Sequence, residues 1–442
     1  MASTATGPLS ESAGQVFAQL ARLVRATRPQ LAAACALSKP TVSSAMAELE
    51  AAGLVTRDGT AHGSTGRSAA VYRLSRDAGY VLAVDHGHTQ ISFRAIALDG
   101  TLLDEGQSTR ADPMIGAALA RRTGDGPLRS AVVAVSDVVL PDPSADPATA
   151  RRVERAVTSL KLPRDVPVAV ENNVNCAAIA ELHDGGDDEG GDGDGNMGSG
   201  SSGGGSGNGS STSGSGDGNS GSGSSASASI GSGRSGSSAG IGGSGSERGG
   251  SGTGGTGGGS QSRDTFVYLQ VGFGIGAGIV MGRQLLRGRN GAAGEIARLA
   301  YPWTDGRDPG HEALEARLGS PGLMRQVADA WRGGDGPLPE NPEAVFALAA
   351  EGHARALALV AEHAAEVGKL AVSLVAVLDP GLVILGGGVG RNPLLTEGVR
   401  RTLDALSWPT KLEVSRLREH ATVLGAAHLA REHGINAVVT GA

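Results

Sequence analysis

Short hydroxyl side chains and one cation are concentrated in the stretch from Leu37 to Val55. The residues that carry these groups are Ser38, Lys39, Thr41, Ser43 and Ser44. Hydroxyl groups hydrogen-bond to base edges, and a lysine ammonium neutralises a phosphate, so this combination suits contact with duplex DNA. We therefore treat the five residues as candidates for DNA binding.

The same stretch predicts the helix that would position them. Ser38 is a good N-cap, and Pro40 falls just inside the first turn, where its fixed φ suits a helix. Val42, Met46 and Leu49 recur at helical spacing and mark one packing face, which leaves the polar residues on the other. Gly53 is expected to end the helix.

Two helices are expected before this one. Apolar residues at helical spacing indicate a first helix through Val16, Leu20, Leu23 and Val24, and Arg28-Pro29-Gln30 opens a short second helix. Three helices with a tight turn before the last are typical of a helix-turn-helix, whose final helix enters the major groove.

Two short strands are expected after the third helix. They run over residues 54–57 and 70–74 and are joined through a polar turn at 58–60, as in the wing of a winged helix. Arg67 lies between the strands, where an extended arginine can enter a minor groove.

Charge is divided unevenly along the 442 residues. The first 80 residues carry eight Lys or Arg and five Asp or Glu, a charge of +3, so the remainder carries −10 of the total of −7. A basic head on an acidic body suits a nucleic-acid module joined to another domain.

The two cysteines, Cys35 and Cys176, supply neither a disulfide framework nor a zinc set. No N-terminal leader and no uninterrupted apolar run of membrane length is apparent, so we expect a soluble cytoplasmic protein.

Buried strands that end in polar residues follow the head. Residues 80–84 are an apolar run ending in Asp85, residues 91–98 form its partner strand, and residues 166–170 lead into a turn with the sequence ENNVN, Glu171 to Asn175. Later in the chain, a strand at 265–271 precedes a glycine-rich turn at 272–278, and a last buried strand at 382–385 precedes three glycines.

The segment 184–263 is almost purely Gly and Ser. It cannot bury enough apolar area to offset the ordering of its backbone, so we expect a flexible insertion on the surface.

Six motifs, taken in order, resemble the landmarks of the ROK family of repressors, open reading frames and sugar kinases. They are DHGHT at Asp85 to Thr89, ENNVN at Glu171 to Asn175, VGFGIGAGI at Val271 to Ile279, GAAGEI at Gly291 to Ile296, ALEA at Ala313 to Ala316 and ILGGGV at Ile384 to Val389. The resemblance covers nearly all of the chain from Val81 onward except the insertion. It implies a two-lobed actin-like ATPase fold.

The resemblance also implies two kinds of site. The counterparts of DHGHT and of the glycine-rich turn hold nucleotide phosphates, which gives as vestigial phosphate-binding residues Asp85, Gly87, Thr89, Gly272, Gly274 and Gly276. The sugar site of such kinases corresponds here to Asn172, Asn173, Glu295 and Glu315. Asp85 could instead persist only as a strand-end acceptor, and Glu295 and Glu315 could serve helix starts or surface salt bridges.

The chain departs from the kinase pattern at several places. Asn173 stands where the kinases have the aspartate that acts as general base, and an amide does not accept a proton. Arg298 replaces a histidine, and residues 304–311 contain no cysteine, so the zinc site of the family is not expected and no metal or cofactor is predicted. His88 and Phe273 add bulk to the phosphate turns. We therefore expect that the protein has no kinase activity and is not an enzyme.

The sequence as a whole predicts an α/β protein with an N-terminal winged helix-turn-helix. The expected domains are a disordered tail (1–12), the DNA-binding head (13–77), two parts of the ROK domain (78–183 and 264–442), and the disordered insertion (184–263). The leading hypothesis is a ROK-family transcription regulator, most simply a repressor, that binds operator DNA, senses a sugar and forms a homodimer or homotetramer, with no membrane partner. An ATP-dependent sugar kinase with a DNA-binding head is the alternative, and a regulator whose body only dimerises is a third.

Overall fold

The structure is a computed structural model, and it describes residues 7–62, 68–87, 90–109, 111–122, 124–185, 263–299 and 313–441. The predicted insertion and the loop at 304–311 fall outside these ranges, apart from the residues that flank the insertion.

Three helices and a small antiparallel sheet form the first part of the chain. In order they are α1 (Glu11–Leu23), β1 (Ala26–Thr27), α2 (Arg28–Ala34), α3 (Lys39–Ala51), β2 (Val55–His62) and β3 (Ser68–Leu74). We call this part the head. Thr27 and Gln30 form a capping box at the start of α2, and Ser38 caps α3, which begins where the sequence predicted. Leu23 and Val24, which were expected to belong to the first helix, are 41% and 47% exposed because α1 ends at Leu23.

The turn predicted at residues 58–60 is wrong. β2 continues to His62, and the register of its pairing with β3 shifts between Arg57 and Thr60. Gly59 adopts a φ of +103° at this irregularity, which glycine tolerates without a steric penalty. The polar residues at 58–60 therefore form a β-bulge within β2 rather than the turn between two strands.

The first half of the body is built on a five-stranded sheet in the order β6-β5-β4-β7-β8. Its elements are β4 (Tyr80–His86), β5 (Ile91–Ala97), β6 (Leu102–Ser108), α4 (Ala111–Arg121), β7 (Leu128–Val135), α5 (Pro147–Ser159), β8 (Val168–Asn172) and α6 (Asn173–Asp184). β4, β5 and β6 pair antiparallel, whereas β4, β7 and β8 pair parallel.

The second half repeats this arrangement in a sheet of order β11-β10-β9-β12-β13. Its elements are β9 (Phe266–Val271), β10 (Ile275–Met281), β11 (Gln284–Leu285), α7 (Ala313–Leu318), α8 (Ser320–Ala330), α9 (Pro342–Ala350), α10 (Ala354–Leu378), β12 (Leu382–Gly386), α11 (Gly387–Gly390), α12 (Pro393–Leu406), β13 (Lys411–Val414) and α13 (Ala421–Thr440). Again a run of antiparallel strands is followed by two parallel pairings. The body is therefore two similar lobes, as expected.

The last helix, α13, was not predicted from the sequence, yet it packs against both the head and the first lobe. Gly425 packs against the main-chain oxygen of Cys176 in α6, and Gly434 packs against Val81 in β4, so that neither position has room for a side chain. Val423 and Val438 belong to the same hydrophobic core as Leu20 of α1. The head and the first lobe thus share one core with α13.

In the described part of the chain, no single helix is both long and apolar enough to span a membrane, although α9 and α10 pass that test together as a pair bent by 115°.

Candidate functional site

Asn172 lies at the carboxyl end of β8 and caps α6. Its side-chain oxygen accepts hydrogen bonds from the backbone N–H groups of Val174 (2.8 Å) and Asn175 (3.3 Å). This capping fixes the amide so that its Nδ2 faces the other lobe, 3.4 Å from Oε1 of Glu295 and 3.4 Å from the carbonyl oxygen of Asp137. ENNVN was predicted to be a turn, but it is the end of a strand followed by the first turn of a helix.

Glu295 precedes a 3₁₀ turn at Ile296–Arg298 in the second lobe. Burial raises the pKa of Glu295 from 4.5 to about 7, Arg298 opposes that rise, and the carboxylates of Glu315 and Asp137 add to it. Near neutral pH this side chain can therefore accept or donate a proton. The Asn172 amide and the partly protonated carboxyl group of Glu295 together offer hydrogen-bond donors and acceptors to a polyol.

Glu315 lies on α7, where its Oε2 accepts a hydrogen bond from the backbone N–H of Ile275 at 3.3 Å. A Cβ on Gly274 would lie only 2.6 Å from that oxygen, so the glycine allows the carboxylate to approach the β9–β10 turn. Glu315 therefore joins the sugar-site candidates to the glycine-rich turn. Glu315 also lies in the first turn of α7, as the alternative role at a helix start requires.

Asn173 begins α6 beside Asn172 and is half-buried. Its carbonyl oxygen accepts a hydrogen bond from the Thr422 hydroxyl, 3.4 Å away on α13. The structure thus brings Asn172, Asn173, Glu295 and Glu315 to one region where the two lobes meet.

Three residues next to this region were not predicted as site residues. Asp137 provides a carbonyl oxygen for Asn172 and raises the pKa of Glu295. Glu171 accepts from the Asn172 N–H and from Asn175 Nδ2, both at 2.9 Å, and its second oxygen accepts from Arg287 Nε at 2.7 Å. Glu171 could have been singled out as a carboxylate at a buried strand end, whereas nothing in the local sequence marks Arg287.

The phosphate-site candidates fall into two groups. Asp85 is the penultimate residue of β4, its Oδ1 is buried and without a hydrogen-bond partner in the described structure, and burial raises its pKa to about 7. At Gly87, two residues further on, a Cβ would lie 2.8 Å from the carbonyl oxygen of Gln90. Thr89, predicted beside them, lies outside the described residues.

The glycine-rich turn is shorter than predicted. Gly272 and Gly274 form it, with the N–H of Gly272 donating to the oxygen of Gly274 at 3.0 Å. Gly276 is instead part of β10, where a Cβ would lie 2.8 Å from Cγ2 of Val174, so close packing of α6 explains this glycine. Placing Gly276 in a phosphate turn was therefore wrong.

The DNA-binding candidates lie mostly on the exposed side of α3. Lys39, Ser43 and Ser44 are exposed. The hydroxyls of Ser38 and Thr41 are 2.7 Å apart and hydrogen-bond to each other, and Ser38 also accepts from the Thr41 N–H. Arg67, predicted at the wing, lies outside the described residues.

The head is connected to the body mainly through α13. Arg431 donates from Nε to the Leu98 carbonyl oxygen at 2.8 Å and from Nη2 to the carbonyl oxygen of Ala21 in α1. Near the end of α13, the carbonyl oxygen of Val439 accepts from the Leu9 N–H at 3.2 Å. One helix therefore touches both Asn173 at the candidate site and α1 of the head.

Comparison with known proteins finds a family model that matches part of the chain and two kinds of relative. Residues 255–433 match the model of the ROK family. The chain is 31% identical over 169 residues to the N-acetylmannosamine kinase of Salmonella heidelberg, a match that covers 37% of this chain and 56% of that protein. It is 29% identical over 166 residues to the bifunctional enzyme NanE/NanK of Brucella melitensis, covering 37% of this chain and 30% of that protein. The chain thus spans about a third to a half of the length of these relatives.

Two solved structures have a similar fold. A ROK family transcriptional regulator, a homolog of the E. coli MLC protein, has a TM-score of 0.61 at 16% identity, covering 97% of this chain and 98% of that one. A ROK family glucokinase from Streptomyces griseus in complex with glucose and AMPPNP has a TM-score of 0.51 at 19% identity, covering 80% of this chain and 100% of that one. The body therefore has the actin-like kinase fold of the ROK family.

These comparisons correct one expectation. We expected no kinase activity and no enzyme because Asn173 replaces the general base. The relatives are named N-acetylmannosamine kinase and glucokinase, names that point to kinase activity, so that expectation is wrong.

Proposed function

We propose that this chain, which carries a ROK family domain over residues 255–433, is a DNA-binding transcription regulator whose body binds a sugar. In this proposal the head is a winged helix-turn-helix that reads an operator, and the body is the sensor. Repression is the simplest mode of action, because a protein seated on an operator excludes other proteins.

The observation that carries the proposal is the two-sided character of α3. Val42, Met46 and Leu49 on one side are fully buried in the core of the head. Lys39, Ser43 and Ser44 on the other side are exposed near the N-terminal end of the helix. A recognition helix presents this end to the major groove, where a cation meets phosphates and hydroxyls meet base edges.

The candidate site in the body supports a sugar as the ligand. Asn172 Nδ2 is a donor, and the carboxyl group of Glu295, with its pKa of about 7, can act as donor or acceptor for hydroxyl groups. Because Asn172 belongs to the first lobe and Glu295 to the second, a sugar that contacts both favours one arrangement of the lobes.

The connection through α13 supports coupling between the sugar and DNA. Its first turn contacts Asn173 through Thr422, and its later turns contact the head through Arg431 and Val439. A change in lobe arrangement would move α13 and with it the head. In a homodimer or homotetramer, such a movement changes the spacing of two heads on a pseudo-palindromic operator.

The test is a mobility-shift assay of the full chain on the DNA upstream of its own gene, with and without sugars. A panel including glucose and N-acetylmannosamine is first screened by thermal shift, since a ligand that binds only the folded protein raises its melting temperature. The proposal expects a retarded band and a change in its midpoint with the stabilising sugar. If no retarded band formed at low salt, the proposal that the protein is a DNA-binding regulator would be refuted. If a band formed but no sugar affected it, the body would serve only for oligomerisation.

Sugar phosphorylation is the second candidate function, and the names of the relatives favour it. Asn173 cannot accept the proton of an attacking hydroxyl, but Glu295 can, because its pKa of about 7 lies close to neutral pH. Release of ADP from ATP with glucose or N-acetylmannosamine, lost in Glu295→Gln and Asp85→Ala, would establish this function. ADP release that persists in both variants would assign the activity to a contaminant.

A further inference from the structure

The long helix α10 packs against the second lobe with one face. Its 25 residues make it about 37 Å long, and its buried face includes Leu359, Val367 and Leu374 of the lobe core. The opposite face is exposed or half-buried and carries, at spacings of three and four residues, Ala354, Ala358, Ala361, Ala365, Lys369, Val372 and Ala376. We call these seven residues the alanine stripe.

The alanine stripe is apolar for a helix face in contact with water. The neighbouring helix α12 instead exposes charged residues, namely Glu397, Arg400, Arg401 and Asp404. The stripe has one charged residue, Lys369, and directly after its last member Val377 is 82% exposed. Helix propensity accounts for exposed alanines but not for an exposed valine, which is a weaker helix former. The composition of this face therefore suits contact with another surface.

The spacing of the stripe indicates what kind of surface fits it. Apolar residues that alternate at three and four positions are the pattern by which one helix packs along another. Because alanine side chains are small, two such helices can approach to the short end of the usual 8–10 Å range of axial distances. An identical helix related by a two-fold axis supplies a matching stripe without any other partner.

The charges near the middle of α10 are complementary to themselves in one orientation. Glu362 lies three residues before Ala365, and Lys369 lies four residues after it. Within the described part of the chain, the ion pairs of α10 use Arg355 and Glu366 but neither Glu362 nor Lys369. In an antiparallel pair with its two-fold axis at Ala365, the Glu362 of each copy lies within about 1.5 Å, measured along the helix, of the other copy's Lys369. A parallel pair would instead place like charges side by side.

We propose that the alanine stripe is the surface through which two copies of this chain associate, with their α10 helices antiparallel about Ala365. Glu362 of each copy pairs with Lys369 of the other on both sides of the axis. The inference rests on the proposed function only for the existence of a homo-oligomer. Its test needs neither DNA nor sugar, so its failure is distinguishable from failure of the regulator.

The first test is sedimentation velocity of the full chain over a range of concentrations at low salt. We expect the parent to associate. Ala365→Glu places two carboxylates against each other at the axis and should raise the dissociation constant about a hundredfold or more, because like charges in an interface repel strongly. Ala117→Glu is the matched control, since Ala117 is an exposed alanine on α4 of the first lobe, and its association should be unchanged.

Charge reversals test the orientation of the two helices. Glu362→Lys and Lys369→Glu should each weaken association about tenfold or more, because both cross-chain attractions become repulsions. The double reversal should restore association, and a mixture of the two single variants should form pairs of unlike chains. Lys369→Ala should still associate, because an exposed ion pair contributes little and alanine continues the stripe.

Three results would overturn the proposal. They are a parent that stays monomeric at every concentration, unchanged association in Ala365→Glu, and a double reversal that does not restore association. The melting temperature of each variant shows whether it folds, and the charge reversals decide the outcome if Ala365→Glu does not.

A lipid surface is the competing occupant, because α9 and α10 together pass the length and composition test for a bent membrane span. Co-sedimentation of the parent with phosphatidylglycerol vesicles tests it. The proposal expects the protein to stay in the supernatant. Vesicle binding that is lost in Ala365→Glu would assign the stripe to a membrane and overturn the proposal.

Discussion

Arg431 of α13 donates a hydrogen bond to the main-chain oxygen of Ala21 in α1 of the head. The same guanidinium holds the carbonyl oxygen of Leu98 in the first lobe at 2.8 Å. The side chain is partly buried, and this burial lowers its pKa. The Arg431 side chain thus links the head to the body by hydrogen bonds to one backbone carbonyl oxygen in each.

Removing this side chain tests the coupling. We expect Arg431→Met to retain DNA binding but to reduce the effect of a bound sugar on it, because two buried carbonyl oxygens lose their donor at the junction. Each lost bond costs about 1–3 kcal/mol, so the melting temperature should also fall. Arg401→Met on the exposed side of α12 is the matched control. An unchanged sugar response in Arg431→Met would show that the coupling runs elsewhere.

Lys39 is the exposed cation at the start of α3 and is expected to contact phosphate. Lys39→Ala should weaken binding on all DNA sequences and reduce the slope of log K against log salt by roughly 0.9. Lys369→Ala, an exposed lysine on α10, should change neither quantity. If affinity and slope survived the loss of Lys39, α3 would not be the helix that meets DNA.

The hydroxyls of α3 are expected to influence sequence preference. Ser44→Ala should change which bases are preferred, with about 1–3 kcal/mol of discrimination at the position that it contacts. Thr41→Ala is less informative than the sequence suggested, because its hydroxyl bonds to the cap residue Ser38 and the substitution also weakens the helix start. Selection of binding sites from a random pool measures the effect. An unchanged consensus with Ser44→Ala would contradict base contact.

The pKa of Glu295 predicts a dependence of stability on pH. Because the pKa rises from 4.5 to about 7 on folding, the folded state holds more protons than the unfolded state in that window. The free energy of unfolding therefore falls as pH rises from about 4.5 to 7, by up to the order of 3 kcal/mol from this group.

Glu295→Gln should abolish this fall in the free energy of unfolding with rising pH, because an amide does not ionise. The variant should therefore be more stable than the parent at pH 8. Asp85 contributes in the same direction, since its pKa is raised from 3.8 to about 7. Glu397→Gln, on an exposed carboxylate, should follow the parent profile. Denaturant unfolding at several pH values provides the comparison. Parallel profiles for the parent and Glu295→Gln would mean that Glu295 is ionised in the folded state.

The Gly/Ser segment is predicted to be dispensable for folding, but its flanks are not. Arg263 donates to Glu181, which is 1% exposed, at 3.0 Å and to Glu413 at 2.5 Å, while Asp184 pairs with His428 at 2.8 Å. Deleting the whole of the expected insertion, residues 184–263, would remove both ion-paired residues, Asp184 and Arg263.

Replacing residues 186–262 with a short glycine linker should therefore leave the melting temperature nearly unchanged, because the guanidinium of Arg263 lies against Gly185 and the linker has only to span about the length of that side chain. Arg263→Ala should destabilise by about 3–5 kcal/mol, since it leaves the buried Glu181 carboxylate unpaired. Arg283→Ala, which removes an exposed ion pair, is the control. A large loss of stability on deletion of 186–262 alone would assign a structural role to the segment.

Much of the fold could be predicted from local patterns. The Ser38 cap and the spacing of Val42, Met46 and Leu49 defined α3, and continuous apolar runs defined the central strands of both lobes. These signals are local because a cap or a buried strand is determined by a few neighbouring residues.

α13 was not predicted because its burial comes from several sides at once. Small residues such as Gly425 and Gly434 face different neighbours, so the helix shows no single apolar stripe. Gly276 was misplaced for a related reason: close packing against Val174 requires glycine as much as a phosphate turn does.

The candidate site could be predicted only in part. Asn172 and Glu295 were found through motifs, but the contact between them joins residues 123 positions apart. Glu171 and Arg287 are likewise 116 positions apart, and such pairings leave no trace in local sequence.

The most direct test of the account is the affinity of the full chain for operator DNA, measured by fluorescence anisotropy with and without the sugar that stabilises the protein. The account predicts salt-dependent binding and a change in Kd of about tenfold or more at saturating sugar, which is a coupling of about 1.4 kcal/mol. The contradicting result is a protein that binds no DNA at low salt, or one whose affinity stays the same while the sugar raises its melting temperature.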